Sequence, residues 1–500
     1  MPNTKELYAL YQQKMQRIAD VKNANNVLQW DQETYLPAKG TTFRGQQIST
    51  LSEIAHQLFS EESTGDLLHE LMSKNDLSKE EKRNVELTLE DYEKNKKYTS
   101  RFVRELSEQI NKTFYAWTIA RQKNSFSLFK DDLEKLVALK KEEAQILGFE
   151  NHPYDALLNE HEKGTTVAFL DKTFSELLPD LKKLLSKIEA SPQVDDAFLK
   201  QRFPKQQQWN WGMYLLKELH FDFERGRQDI STHPFSVSFN SNDVRITTRI
   251  EEEDFGNMTW SCIHEAGHAL YEQGLPEMEY GLPLGEACSY SIHESQSRLW
   301  ENNIGRSLAF WKLYLPLLQS YFPGQFGNIS AEQFYKGINK VSPSLVRTEA
   351  DEITYHFHVF IRYELEKKLL EGNLQAADIP SYWAEQYKNL LGVNVPDDKQ
   401  GSLQDVHWSH GSFGYFPTYS LGSFYAAQFF EAAKKDDPTI KNGIETGNLI
   451  PLLQWLRSNI HAKGRYFTSE ELCRQATGKP LEIRFFTNYL LEKYGSIYIL

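Results

Sequence analysis

The sequence predicts a mainly α-helical chain with a small β element set directly before one particular helix. Three observations predict it. Apolar residues recur at three-to-four spacing through the first two hundred residues. Clear period-two alternation is confined to two neighbouring segments, 235–239 and 244–250. No Pro/Gly/Ser-rich linker, low-complexity tract or repeat interrupts the 500 residues. Length alone suggests about three domains. The missing boundaries favour one unit over 1–500, with two helical lobes around a deep cleft as the variant to expect.

The elements follow in order. Residues 5–25 carry Leu7, Leu10, Tyr11, Met15, Ile18 and Val21 on one helical face, and Trp30 to Thr34 with Pro37 ends that helix. Ser78-Lys79-Glu80-Glu81 is a capping box opening a helix through Leu87, Leu89 and Tyr92. Residues 125–147, closed by Gly148, and 165–188 repeat the pattern. No chemistry is readable there, and a lid or wall is the expected role. Residues 235–239 and 244–250 form a hairpin across Asn240 to Asp243. Helical runs follow at 284–302, 309–321 and 331–341, then a long helix begun by Pro343 through Arg347, Asp351, His356, His358 and Arg362. Residues 401–422 read as a loop, and 451–460 and 483–494 as packing helices.

The net charge of −13, from 56 basic and 69 acidic side chains, is a mild acidic excess that argues against nucleic-acid binding. The N-terminal stretch lacks a signal-peptide pattern, and no apolar run approaches the ~18 residues of a membrane span. Three cysteines (Cys262, Cys288, Cys473) are too few and odd in number for a disulfide framework, so a reduced, cytoplasmic setting is expected. Cys262 and Cys288 are expected to be small packed residues rather than nucleophiles.

The chemistry concentrates in Thr259 to Glu272, which contains H-E-x-x-H. His264 and His268, one helical turn apart, can face one cation. Glu265 is placed to take a proton from the attacking water. Ala266 and Gly267 are small, which suggests room for a substrate, and Gly274 and Pro276 end the helix. A catalytic zinc site needs a third protein ligand. The metzincin extension is excluded, because Tyr271 and Gly274 stand at its positions. Glu272 lies a further turn along the same helix and converges poorly. His293-Glu294-Ser295-Gln296 is the next source, and spacing alone does not choose between His293 and Glu294.

At these residues the chain resembles the M32, or carboxypeptidase Taq, family of thermostable metallocarboxypeptidases. Six motifs occur in order: His233-Pro234-Phe235, Asp243 to Thr247, the H-E-x-x-H, His293 to Gln296, Val346 to Asp351, and Gly401 to Trp408. The departure is Val346 where isoleucine is usual, a conservative change. The resemblance implies a large helical gluzincin of neurolysin-like architecture. It also implies metal ligands His264, His268 and Glu294, and hydrolysis of the C-terminal peptide bond with Glu265 as general base. Zn2+ is the implied metal, with Co2+ an alternative; a homodimer is implied too.

An exopeptidase must read a carboxylate, and a guanidinium offers planar paired donors for one. The resemblance implies substrate recognition by the Val346–Asp351 motif, which makes Arg347 the first candidate and Arg245 the second, with His233, Tyr415 and Gln404 as further substrate contacts. The bland alternative for Arg347 is an ion pair with Asp351. The oxyanion of the attacked carbonyl needs a donor, for which His407 and Tyr419 are chosen, and His410 is a bystander. The strand edge before the metal helix offers backbone groups to a peptide. Two competing readings are a gluzincin oligopeptidase cutting within short peptides and a non-enzymatic helical scaffold with core histidines.

Overall fold

A computed structural model describes residues 3–500. The chain forms two compact units, each assembled from three segments that alternate along the sequence. The first comprises Met1–Lys96, Asp196–Ile338 and Gln428–Pro480, the second Lys97–Asp195, Asn339–Ala427 and Leu481–Leu500.

In the first unit the N-terminal helix spans Thr4–Thr34, started by a capping box between Asn3 and Glu6. It buries Leu7, Tyr11, Met15 and Ile18 against Leu68, Leu71, Val85 and Tyr92, whereas Leu10 is exposed. The helix outlasts its apolar stripe at Ile18–Val21 because Trp30 adds a further buried contact near its end. Ser78 and Glu81 cap each other reciprocally at the start of Lys79–Lys96. The predicted hairpin is present, as β2 (Ser236–Asn240) and β3 (Asp243–Thr248), and a strand that periodicity missed, β1 (Gly226–Ile230), lies parallel to β3. The order β1-β3-β2 leaves β2 on an edge. Gly226 is required there, since a Cβ would lie 2.2 Å from the Val244 carbonyl oxygen.

The sheet leads into the helix Phe255–Glu272, whose first turn is capped by the Asp254 side chain on the Gly256 N–H. After two 3-10 turns comes the helix Tyr290–Arg298, capped by Ser289. It continues without a break into a π-helix, Leu299–Gly305. A π segment of this length is rare and is found mostly at functional sites.

In the second unit Lys130–Leu147, Pro153–His161 and Ile379–Leu391 pack against Tyr355–Glu371, a helix buried nearly all round, and Phe174 of Val167–Glu189 stacks on its Tyr363. Every polar group on that helix therefore needs a partner. His356 Nδ1 pairs with Ser420 Oγ at 2.9 Å and His358 Nδ1 with Tyr387 Oη at 2.8 Å, so both histidines are core residues on different faces.

Two expectations are corrected here. Pro343 does not start a helix: Arg347–Glu349 is a 3-10 turn, and the helix begins at Tyr355. The Asp351 carboxylate accepts the Ile353 and Thr354 N–H groups and the Thr354 hydroxyl, so it nucleates the helix instead of lying within it. Residues 401–422 are only partly loop, because the helix Phe416–Asp436 begins just past Gly414, whose φ of 92° turns the chain. Tyr419 is thus a helical residue.

Candidate active site

His264 and His268 project from the helix Phe255–Glu272 toward Glu294 on the helix Tyr290–Arg298, all in the first unit. One ligand atom from each lies within 4.8 Å of the others. Glu294 Oε2 is 3.8 Å from His264 Nε2 and 3.7 Å from His268 Nε2. The Nδ1 atoms are committed elsewhere. His264 Nδ1–H donates to Glu301 Oε2 at 2.9 Å, and His268 Nδ1–H donates to the His293 carbonyl at 3.0 Å. That fixes both tautomers with Nε2 as the free donor atom, as a cation requires. Arg298 Nε holds the other Glu294 oxygen, Oε1, at 2.6 Å. The donor set and its convergence fit a divalent cation.

His293, which spacing left beside Glu294, and Glu272, which it set aside, are each other's partners. His293 Nε2 meets Glu272 Oε1 at 2.8 Å, and the His293 ring stacks on His268 with centroids 4.4 Å apart. Gly267 does not make room for substrate. A Cβ on Gly267 would lie 2.6 Å from Ser297 Cα and 2.7 Å from the Gln296 carbonyl, so the missing side chain is what lets the two ligand helices approach.

Electrostatics separate the groups. Burial raises the Glu265 carboxyl to about 7, with the charge of Glu294 adding and His264, His293 and the Ser236 hydroxyl opposing. Burial and the neighbouring His293 and His264 push His268 well below the ordinary imidazole value. Burial acts the same way on His264, but Glu294 and the bond to Glu301 outweigh it and raise the value. Burial alone would raise Glu301, yet the His264 hydrogen bond and the Arg306 and Arg298 charges hold it well below the carboxylate range. Cys262 is buried against the Gly212 carbonyl and Gln228 Oε1, with its thiol pushed up by burial, which suits packing rather than attack.

The other candidates lie as follows. Ser236, at the start of edge strand β2, hydrogen-bonds Glu265. Arg245 pairs with Asp243 at 2.9 Å through Nε and Nη2, and stacks 4.4 Å over Trp30 and 4.9 Å over Phe239. His233 is exposed. In the second unit Arg347 is buried; its partner is Asp405, at 3.1 Å through Nε and 2.9 Å through Nη2, rather than Asp351. Its Nη1 reaches Tyr355 Oη at 3.1 Å, and its guanidinium lies 4.7 Å over the Tyr419 ring. Arg362 Nε takes the other Asp405 oxygen at 2.6 Å. Gln404 accepts from the Arg347 N–H and from Arg362, and donates to the Leu345 and Gln400 carbonyls. His407 Nε2 meets Tyr419 Oη at 3.1 Å, and burial and the Arg347 charge bring His407 down to about 3. Tyr415 packs beside both. His410 is exposed and stacks on Phe114.

Sequence reading missed Glu301, Arg298 and Arg306. Arg298 had a signal, lying four residues after Glu294 on a helix, the spacing of an intrahelical ion pair. Glu301 had none, because nothing in the apolar periodicity announces a π turn.

A mainly helical chain in which an H-E-x-x-H helix and a second helix bring two imidazoles and a glutamate together defines the gluzincin class of metallopeptidases. Within that class, the chain belongs to the Carboxypeptidase Taq (M32) metallopeptidase family, whose sequence profile matches residues 10–494. It is 39% identical over 488 residues to Carboxypeptidase 1 of Bacillus subtilis (strain 168), covering 97% of each chain. It is 39% identical over 483 residues to Thermostable carboxypeptidase 1 of Thermus thermophilus, covering 94% of each. The crystal structure of the M32 carboxypeptidase from Deinococcus radiodurans R1 superposes with a TM-score of 0.97 at 38% identity, covering 99% of this chain and 100% of that one. The chain is a metal-dependent carboxypeptidase. The readings as an internal-cutting oligopeptidase and as an inert scaffold are not favoured.

Proposed function

We propose that this carboxypeptidase removes C-terminal residues with broad side-chain tolerance, using a cation held by His264, His268 and Glu294. One observation carries the reading: both Nε2 atoms converge on Glu294 Oε2, at 3.8 and 3.7 Å. When bound, the cation acidifies the attacking water and polarises the scissile carbonyl. Zn2+ is the proposed ion, since two His and one Glu is an attested catalytic zinc set, and Co2+ is a competent substitute because such donors discriminate weakly by affinity.

Glu265 takes the proton of the attacking water and later returns it to the leaving amine. A carboxyl raised to about 7 suits both transfers near neutral pH. The Ser236 hydroxyl orients it, and the β2 edge on which Ser236 stands offers backbone groups to an added peptide strand, indifferent to side-chain identity. Arg347 is proposed to read the substrate's terminal carboxylate, because Arg347 and Arg362 against the single Asp405 carboxylate leave positive charge in excess. Gln404 is proposed to act by holding Arg347. Arg245, His233 and Tyr415 are proposed as lesser substrate contacts. His407 and Tyr419 are proposed donors to the developing oxyanion. A homodimer and a reducing, cytoplasmic setting complete the proposal; the free cysteines, two of them buried, support the latter.

A blocked dipeptide with a free carboxylate and its amidated counterpart test the reading on Zn2+-reconstituted protein. The free acid is expected to be hydrolysed and the amide spared; equal turnover of both would overturn it. Sedimentation velocity tests the dimer.

A further inference from the structure

We infer that Glu301, which stands on the π-helical turn, is the positioning residue that aims His264 at the cation. This deepens the metal-site reading above and rests on it.

The helix carrying Glu294 runs straight into the π segment Leu299–Gly305. Both segments send a carboxylate to the same imidazole: Glu294 Oε2 stands 3.8 Å from His264 Nε2, and Glu301 Oε2 accepts from Nδ1 at 2.9 Å.

The carboxylate is held from several sides. Arg306 Nη2 donates to Glu301 Oε1 at 3.0 Å and Arg298 Nη1 to Oε2 at 3.4 Å, while Arg298 Nε holds Glu294 Oε1 at 2.6 Å. One arginine thus ties the ligand carboxylate to the orienting one. Arg306 is itself fixed, donating to the Ile338 carbonyl at 2.7 Å and lying 4.0 Å over the Trp260 ring. Trp260 is one turn before His264 on the same helix. The circuit Trp260, Arg306, Glu301, His264 therefore begins and ends on the H-E-x-x-H helix. Such a carboxylate sets the tautomer and angle of a ligand imidazole before the cation arrives.

A structural role alone, balancing Arg298 and Arg306, predicts something different, and two substitutions separate the cases. Glu301→Asp keeps the charge and shortens the reach to Nδ1; Glu301→Gln keeps the reach and removes the charge. Zn2+ affinity is measured by competition with a chromogenic chelator, on protein whose metal-free melting curve is recorded first. Both variants are expected to bind Zn2+ about 10- to 100-fold more weakly than the parent. Glu301→Asp is expected to melt, metal-free, close to the parent. Parent-like affinity in Glu301→Asp overturns the inference, and this variant decides the matter if Glu301→Gln does not fold. A parent that binds no Zn2+, or whose binding survives His264→Ala, overturns the metal-site reading itself. That failure is distinguishable because it shows in the controls.

Discussion

Glu265 and Glu294 are neighbouring buried glutamates that the chain prepares for different work. Glu294 has one oxygen tied to Arg298 and the other turned to two imidazoles. Glu265 lies outside that trio, with its carboxyl raised by burial to about 7. Glu265→Gln is therefore expected to keep stoichiometric metal while turnover falls by about 10²- to 10⁴-fold, the range of general acid–base catalysis. Substantial retained turnover would remove Glu265 as the base. Asp405 answers two buried guanidiniums at once, Arg347 and Arg362. Asp405→Asn should destabilise the folded protein by about 3–5 kcal/mol, because uncompensated charge is left in the interior. Urea titration with an unchanged midpoint would contradict that. At this scale the H-E-x-x-H pair was legible because helical periodicity puts residues four apart on one face. Spacing did not choose Glu294 over His293, since both belong to one short motif; the family resemblance implied Glu294, and the approach of the two helices points it at the imidazoles.

The close crossing of those helices is the decisive element-level feature. Gly267 faces the backbone of Gln296 and Ser297. Gly267→Ala is expected to cost about 1–3 kcal/mol, the range for overpacking, although alanine is the better helix former. It should also weaken metal binding by moving Glu294 away from His268. A variant as stable as the parent, with parent-like Zn2+ affinity, would show that the helices separate freely. Elements governed by local signals were readable: the Ser78 capping box, the helix closed at Gly148, and the β2–β3 hairpin. Elements governed by distant partners were not. β1 shows no alternation of its own and exists through parallel pairing with β3. The stretch after Pro343 has helical composition, but its Arg347 N–H is taken by Gln404.

For the whole molecule, metal and proton linkage give two measurable consequences. A cation that binds only the folded chain adds stability by mass action, about 2.7 kcal/mol at a hundredfold excess over Kd. Chelation should therefore lower the melting temperature, and Zn2+ should restore it; no shift would speak against a folded-state site. His461 is buried, donates Nε2–H to Gln296 Oε1 at 3.0 Å and leaves Nδ1 without a partner. Burial, aided by Arg457 and His293, brings it down to about 3. A depressed histidine contributes stability above the unfolded value near 6.5, and that stability is lost as pH falls from 6.5 toward 3. The stability difference between the parent and His461→Gln should thus shift against the parent by about 1.4 kcal/mol per pH unit in that window. A pH-independent difference would mean that His461 titrates normally in the folded chain.

Sequence by itself determined the helical class, through apolar periodicity, and the pair of imidazoles with Glu265 beside them, because residues four apart share a helical face; six motifs in order carried the family resemblance. Tertiary structure decided what surrounds them: how Glu294, which the family resemblance had implied, converges on the two imidazoles, Glu301 behind His264, Asp405 rather than Asp351 beside Arg347, and Gly267 as a packing contact. Those choices depend on which backbone segments come within a few ångströms across long stretches of chain, and local periodicity carries no record of that.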